Sequence, residues 1–232
     1  MNQPSGSVTV VVVHGAWADG SSWSRVIGAL QVQGIRVVAA PLPLTSLSDD
    51  VSALDRTLER IQGPLVLAAH AYAGAVIAAS TNERVRGLVF VAALAPDEGE
   101  SVAEVFYRNP SHPQAPQLTP DAHGYIWMPE SGFASAFAQN ATPEEAALLA
   151  AVQRPIAVAC IQEKSPKPAW RSKPSWFLIA EEDRMINPTT QHFMASRMGA
   201  RVKAHRVDHT PLITSAGVVV ELIGDAIATS SS

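Results

Sequence analysis

Three regions of this 232-residue chain bring together residue types that move protons or stabilise charge: His14-Gly15-Ala16-Trp17, Ala69-His70-Ala71-Tyr72-Ala73-Gly74, and the pair Asp183 and His209. Each follows an apolar run that reads as a strand, so each falls at the carboxyl edge of a sheet, where open α/β folds bind ligands. A carboxylate that holds one ring nitrogen of a histidine leaves the other free as a general base or acid, and Asp183 with His209 fits that pairing. The spacing of Asp183 from the strand end, and Arg184 after it, favour it over the neighbouring Glu181 and Glu182; Asp97, past an earlier strand, is the weaker candidate acid. A backbone turn at His14-Gly15-Ala16-Trp17 can aim an N–H at a developing oxyanion.

The elements that must position these groups follow from the pattern of apolar runs. Residues 8–13, 35–40, 65–69, 85–92, 175–180 and 201–207 are β-branched or alanine-rich and read as about six mostly parallel strands. Helices fall between them at 21–33, 49–61, 73–80 and 188–198, with a last one from about 215, an alternation that calls for helices on both faces of the sheet. Ser48 is the expected cap of the second helix and Asn187 that of the fourth. Between about 97 and 174 the rhythm breaks: Pro110, Pro113, Pro116 and Pro120 exclude a regular helix or interior strand. Helix returns at Thr142-Pro143-Glu144-Glu145, a capping box with proline at the first helical position. The expectation is a single domain, 1–232, with a helical lid inserted at 97–174.

These features resemble the α/β-hydrolase superfamily, whose order is nucleophile turn, then acid, then histidine. VVVHGAWADGSSW at 11–23, AAHAYAGAVI at 68–77, VFVAALAPDEGESV at 89–102, ATPEEAALLAAVQRPIA at 141–157, PSWFLIAEEDRMINP at 174–188 and VDHTPLI at 207–213 look like one bacterial esterase-like branch related to hydroxynitrile lyases and methyl esterases. The resemblance spans nearly the whole chain. It implies backbone amides of Ala16 and Tyr72 as an oxyanion hole, Asp183 as the residue that orients His209, and His209 as the base, with no cofactor.

One position departs from that pattern. The family turn reads Gly-His-Ser-Tyr-Gly-Gly, and here alanine (Ala71) stands where the nucleophilic serine belongs, with Ala69 and Ala73 for two glycines. Loss of the nucleophile alone costs a serine hydrolase on the order of 10⁶ in turnover. Three readings stay open. The site performs His/Asp general-base chemistry on a small ester or carbonyl compound, such as proton transfer, decarboxylation or carbon–carbon cleavage; plant methylketone synthase resembles it in having alanine at that position. Alternatively a serine was replaced to abolish turnover, although Ala69 and Ala73 speak against a change aimed at the apex alone. The third is a binding protein that kept the pocket and lost catalysis, against which the retained Asp183 and His209 argue.

Other residues have plainer readings. His14 and His70 suit structural bonds near tight turns. Trp17, Trp23, Tyr125, Trp127 and Phe133 form an apolar wall or plain core, with Trp17, Trp127 and Phe133 the candidates for the substrate pocket. His112 and His123 lack metal-ligand spacing, so no metal is expected. The first strand ends in His-Gly-Ala-Trp rather than a phosphate-binding glycine loop. A net charge of −4 gives no footprint for nucleic acid. One cysteine, Cys160, excludes an internal disulfide framework and fits a reducing cytoplasm. No basic residue precedes the apolar run at 8–13, which is too short for a signal sequence or a membrane span.

Overall fold

The computed structural model describes residues 7–230, so the reading of the first six residues as lacking a leader lies outside the described residues. The apolar runs become strands β1 (Thr9–Val13), β2 (Arg36–Ala40), β3 (Leu65–His70) and β4 (Val85–Val91), then β7 (Ser175–Ala180) and β8 (Arg201–His205) after the insert, which itself contributes β5 (Tyr125–Ile126) and β6 (Ile156–Ala157). The six long strands pair in parallel in the order β2-β1-β3-β4-β7-β8. The chain winds one way from β1 to β2 and the other way from β1 to β3, so a crevice opens at the carboxyl ends of β1 and β3.

A side chain on a strand alternates between faces, and both faces here are covered. Val11 and Val13 pack with Leu67, Ala69, Phe90 and Phe177 on one side. Val10 and Val12 pack with Val66, Ala68, Val89 and Trp23 on the other. That double burial is why the inner strands read as continuous apolar runs. The edge strands β2 and β8 are more exposed and start at Arg36 and Arg201, charged residues that discourage further strand pairing.

Helix boundaries follow local chemistry. The helix Leu47–Glu59 is capped by Ser46 rather than Ser48: Ser46 is extended, and its hydroxyl accepts from the Asp49 amide at 3.0 Å. Asn187 caps Pro188–Arg197, and Thr142 and Glu145 form the capping box of Pro143–Val152. The insert is not purely helical: β5 and β6 pair antiparallel within it, two residues on each strand, too short to leave a periodic signature.

Gly74, in the helix Ala73–Ala78, lies against the chain after β4. A Cβ there would sit 2.3 Å from the Leu94 carbonyl oxygen and 2.9 Å from Ala93 Cβ. Ala69 and Ala73 are fully buried without such a conflict, so the turn demands glycine at one position only. Gly74→Ala is expected to cost about 3 kcal/mol, read as a lowered midpoint in urea unfolding.

Candidate active site

Strand β3 runs through His70 into a turn whose apex is Ala71, and Tyr72 leads into the helix Ala73–Ala78. Ala71 has φ +50°, a left-handed conformation that costs a residue with a Cβ roughly 1–2 kcal/mol. Neighbouring chain holds it there: its N–H donates to the Val91 carbonyl at 3.3 Å, and its carbonyl accepts from Leu94 N at 2.9 Å and Gly74 N at 3.1 Å. Gly15 presses on the same apex, since a Cβ on it would come within 3.0 Å of Ala71 Cβ and of the His70 carbonyl oxygen.

Two loops at the same sheet edge carry the ionisable pair. His209 Nδ1 donates to Asp183 Oδ2 at 2.8 Å, and both side chains are buried. Asp183 has further donors: the amides of Met185 and Ile186 reach Oδ1 at 2.7 and 2.9 Å, and Gln191 Nε2 reaches Oδ2 at 2.8 Å. Gln191 is in turn fixed by the Ala180 amide, which donates to its Oε1 at 3.0 Å. The carboxylate is thus held in place and holds the imidazole as the Nδ1–H tautomer, leaving Nε2 with no hydrogen-bond partner among the described residues. An imidazole held this way takes or gives a proton at Nε2.

His209 shares an apolar cavity with Ala71, Ala16, Trp17 and Tyr72. The opposite wall comes from the insert, including Phe106, Tyr107, Leu118, Ile126, Phe137 and Ile156. About 60 Å³ is left free, which limits an occupant to a small molecule while the insert stays in this position. The backbone N–H groups of Ala16 and Tyr72 have no hydrogen-bond partner among the described residues. The adjacent Trp17 amide, by contrast, donates to the Arg154 carbonyl at 3.0 Å.

A family model described as the alpha/beta hydrolase family matches residues 10–222. The chain belongs to the alpha/beta hydrolase family. Among solved structures it is similar to polyneuridine aldehyde esterase, with a TM-score of 0.81 at 18% identity, covering 95% of this chain and 98% of that one. A pyrethroid hydrolase from Sphingobium faniae superposes with a TM-score of 0.79 at 18% identity over 96% and 98% of the two chains. A methylesterase from Arabidopsis does so with 0.78 at 13% identity over 96% and 99%. A sequence search of curated proteins returns no match.

The structure brings some of the residues singled out from the sequence together and separates others. Ala16, Trp17, Ala71, Tyr72 and His209 line one cavity, with Asp183 directly behind His209. Trp127 is a correction: it is half-exposed, with Nε1 donating to Asp121 Oδ2 at 3.2 Å, and it does not line the cavity. Phe133 is another, because it is fully buried in the core against Phe137, their ring centroids 5.3 Å apart. Phe137 is the aromatic that reaches the cavity, its ring 5.3 Å from that of His209. Asp97 pairs with Arg171 in the insert, away from the imidazole. Gln191 and the Met185 and Ile186 amides went unnoticed, since a buried glutamine eight residues past an aspartate carries no sequence signal.

Behind the cavity, the Tyr72 hydroxyl donates to Asp50 Oδ2 at 2.6 Å, and Asp50 Oδ1 accepts the Leu44 amide at 2.8 Å. Burial raises the Asp50 carboxyl above the ordinary carboxylate range and pushes the nearby Cys160 thiol up to about 12, so Cys160 is a protonated core residue. Among the described residues no group of three or more His, Cys, Asp or Glu is arranged to hold a metal ion, and no helix is long and apolar enough to cross a membrane.

The two flanking histidines are bonded to backbone. His14 Nδ1 donates to the Gly15 carbonyl at 2.9 Å while its Nε2 accepts from Leu42 N at 3.1 Å. His70 Nε2 donates to the His209 carbonyl at 2.7 Å, which ties the turn to the histidine loop. Burial lowers both pKa values below the ordinary 6.5, and for His70 the neighbouring His209 adds to the effect. A lowered pKa favours the fold above pH 6.5, a contribution lost as the pH falls towards the folded value. At pH 6.5, where a free imidazole is half protonated, nitrogen-15 NMR is expected to show His14 mainly as the neutral Nδ1–H tautomer and His70 as the neutral Nε2–H tautomer. Imidazolium signals for both would contradict the assignment.

Proposed function

We propose that the chain is an esterase-like alpha/beta hydrolase-fold enzyme in which His209, oriented by Asp183, acts directly as general base and acid on a small apolar ester or carbonyl compound. Ala71 stands at the position of the family's nucleophile, so acyl transfer to residue 71 does not occur. The observation that carries this reading is the retained pair: a buried, fully bonded carboxylate holds His209 with Nε2 open to a cavity whose floor offers no nucleophilic side chain. In that role Nε2 removes a proton beside a carbonyl, and the enolate oxygen is held by the amides of Ala16 and Tyr72, as an oxyanion hole holds a tetrahedral intermediate. Decarboxylation of a β-keto acid uses the same parts, with carbon dioxide leaving and His209 returning a proton to carbon. The insert serves as a lid that keeps water from the carbanion. Neither a cofactor nor a metal has a step in this scheme.

The esterase names of the structural neighbours support a carbonyl-bearing substrate. A receptor for the same compound would have no use for an oriented base. The test is hydrogen–deuterium exchange at the α-carbon of small apolar ketones and decarboxylation of the matching β-keto acids, followed by NMR in deuterium oxide. Activity that His209→Ala reduces by at least about 10²-fold is expected; exchange that is equally fast in His209→Ala removes the imidazole from the mechanism.

A further inference from the structure

Outside the cavity, a second concavity runs along the exposed edge strand β2 and the helix Leu47–Glu59. It offers about 840 Å³, room for a ligand of drug size, and shares no lining residue with the cavity that holds His209. Four arginines converge on it: Arg36 from β2, Arg56 and Arg60 from the helix and the turn that ends it, and Arg154 from the insert. No aspartate or glutamate lines it. None of these guanidinium groups donates to a protein acceptor among the described residues, whereas Arg171 pairs with Asp97, Arg197 with Glu100 and Arg206 with Glu182.

Among the described residues, no nearby acid pairs directly with the cluster. Asp49 feels the charge of Arg56, and Asp19 that of Arg154, yet the first is bonded to Thr45 and Ser46 and the second to Ser21. Asp55 and Glu59, on the same helix as Arg56, do not line the groove. Arg56 and Arg60 are four residues apart, a spacing at which like charges repel. Between the arginines the surface is apolar, with Val38, Pro41, Pro43 and Ile61.

We propose that this groove binds an organic polyphosphate, a ligand with at least two phosphate charges and an apolar body. The planar, forked donors of arginine match phosphate oxygens two at a time, and several of them around one concavity focus positive potential there. The chain as a whole carries a net charge of −4, so a polyanion is attracted by this groove and not by the surface at large. The apolar strip takes the remaining body of the ligand, and the guanidinium planes add stacking for an aromatic ring.

The test is calorimetric titration of the full chain with ADP, pyrophosphate and adenosine at 0.15 M salt. Saturable ADP binding is expected, with pyrophosphate several-fold weaker and adenosine weaker still. The double variant Arg56→Gln/Arg60→Gln, both exposed positions, is expected to weaken ADP by about tenfold or more with an unchanged thermal midpoint. Arg86→Gln removes a charge outside the groove and is expected to leave binding unchanged. No saturable binding of ADP or pyrophosphate overturns the proposal, as does binding that survives the double variant or falls equally in Arg86→Gln. Pyrophosphate binding as tightly as ADP overturns the role of the apolar strip, and a glutamate-rich peptide competing equally well overturns the assignment to phosphate.

Discussion

Ala71→Ser is expected to raise hydrolysis of p-nitrophenyl acetate by about 10³-fold or more over the parent chain, with an initial burst of nitrophenol. The apex backbone is already left-handed at Ala71, held by Val91, Leu94 and Gly74, so a serine there inherits the strain and direction of the turn. Its hydroxyl would enter the cavity that His209 lines, where Nε2 has no competing partner. The amides of Ala16 and Tyr72 are likewise uncommitted, and such donors contribute a large share of acyl-transfer catalysis. Stopped-flow kinetics with the ester in excess measures both the burst and the steady rate. The gain is expected to fall short of the roughly 10⁶ lost when a working triad loses its serine, because on the proposed function the pocket around Ala71 serves another reaction.

The second large effect concerns Asp183. Its replacement by alanine takes the acceptor from the amides of Met185 and Ile186, from Gln191 Nε2 and from His209 Nδ1, all in the interior. Removing one partner of a buried, hydrogen-bonded charge network costs about 3–5 kcal/mol, so Asp183→Ala is expected to lower the urea midpoint markedly. Asp183→Asn keeps an oxygen for part of the network and destabilises less, yet it presents a donor where His209 Nδ1 needs an acceptor and so favours the wrong tautomer. In the Ala71→Ser background, Asp183→Asn is therefore expected to reduce the gained ester hydrolysis by about 10³–10⁴-fold while the protein remains folded. Comparable stability loss in the two variants would show that the oxygen kept by asparagine satisfies none of these donors and would contradict this ranking.

The inner sheet was legible because β1, β3, β4 and β7 are buried on both faces and leave uninterrupted β-branched or small residues. Asp183 and His209 were legible for a related reason: each lies just past the end of a strand, where a polar residue has little packing to do. The cavity wall was not. Phe137, Phe133 and Trp127 are all aromatics of the insert, and only the path of that segment decides which one meets His209, which fills the core and which lies at the surface tethered to Asp121. The link from Tyr72 to Asp50 was equally hidden, as it joins residues 22 positions apart through a fold-dependent approach of helix and turn. Ser46 displaced Ser48 as a cap because one extended residue, rather than composition, sets where a helix begins.

His209 oriented by Asp183, the free amides of Ala16 and Tyr72 and the turn surround Ala71, and on the proposed function the group lacks only a nucleophile. Mass spectrometry of the Ala71→Ser variant after exposure to a small fluorophosphonate tests this arrangement most directly, because the reagent reacts with a hydroxyl only where a base and an oxyanion hole act together. One adduct per chain at position 71, absent from the parent and from Ala71→Ser/His209→Ala, is the predicted result. An unlabelled position 71, or labelling indifferent to His209, would show that no base and oxyanion hole face residue 71.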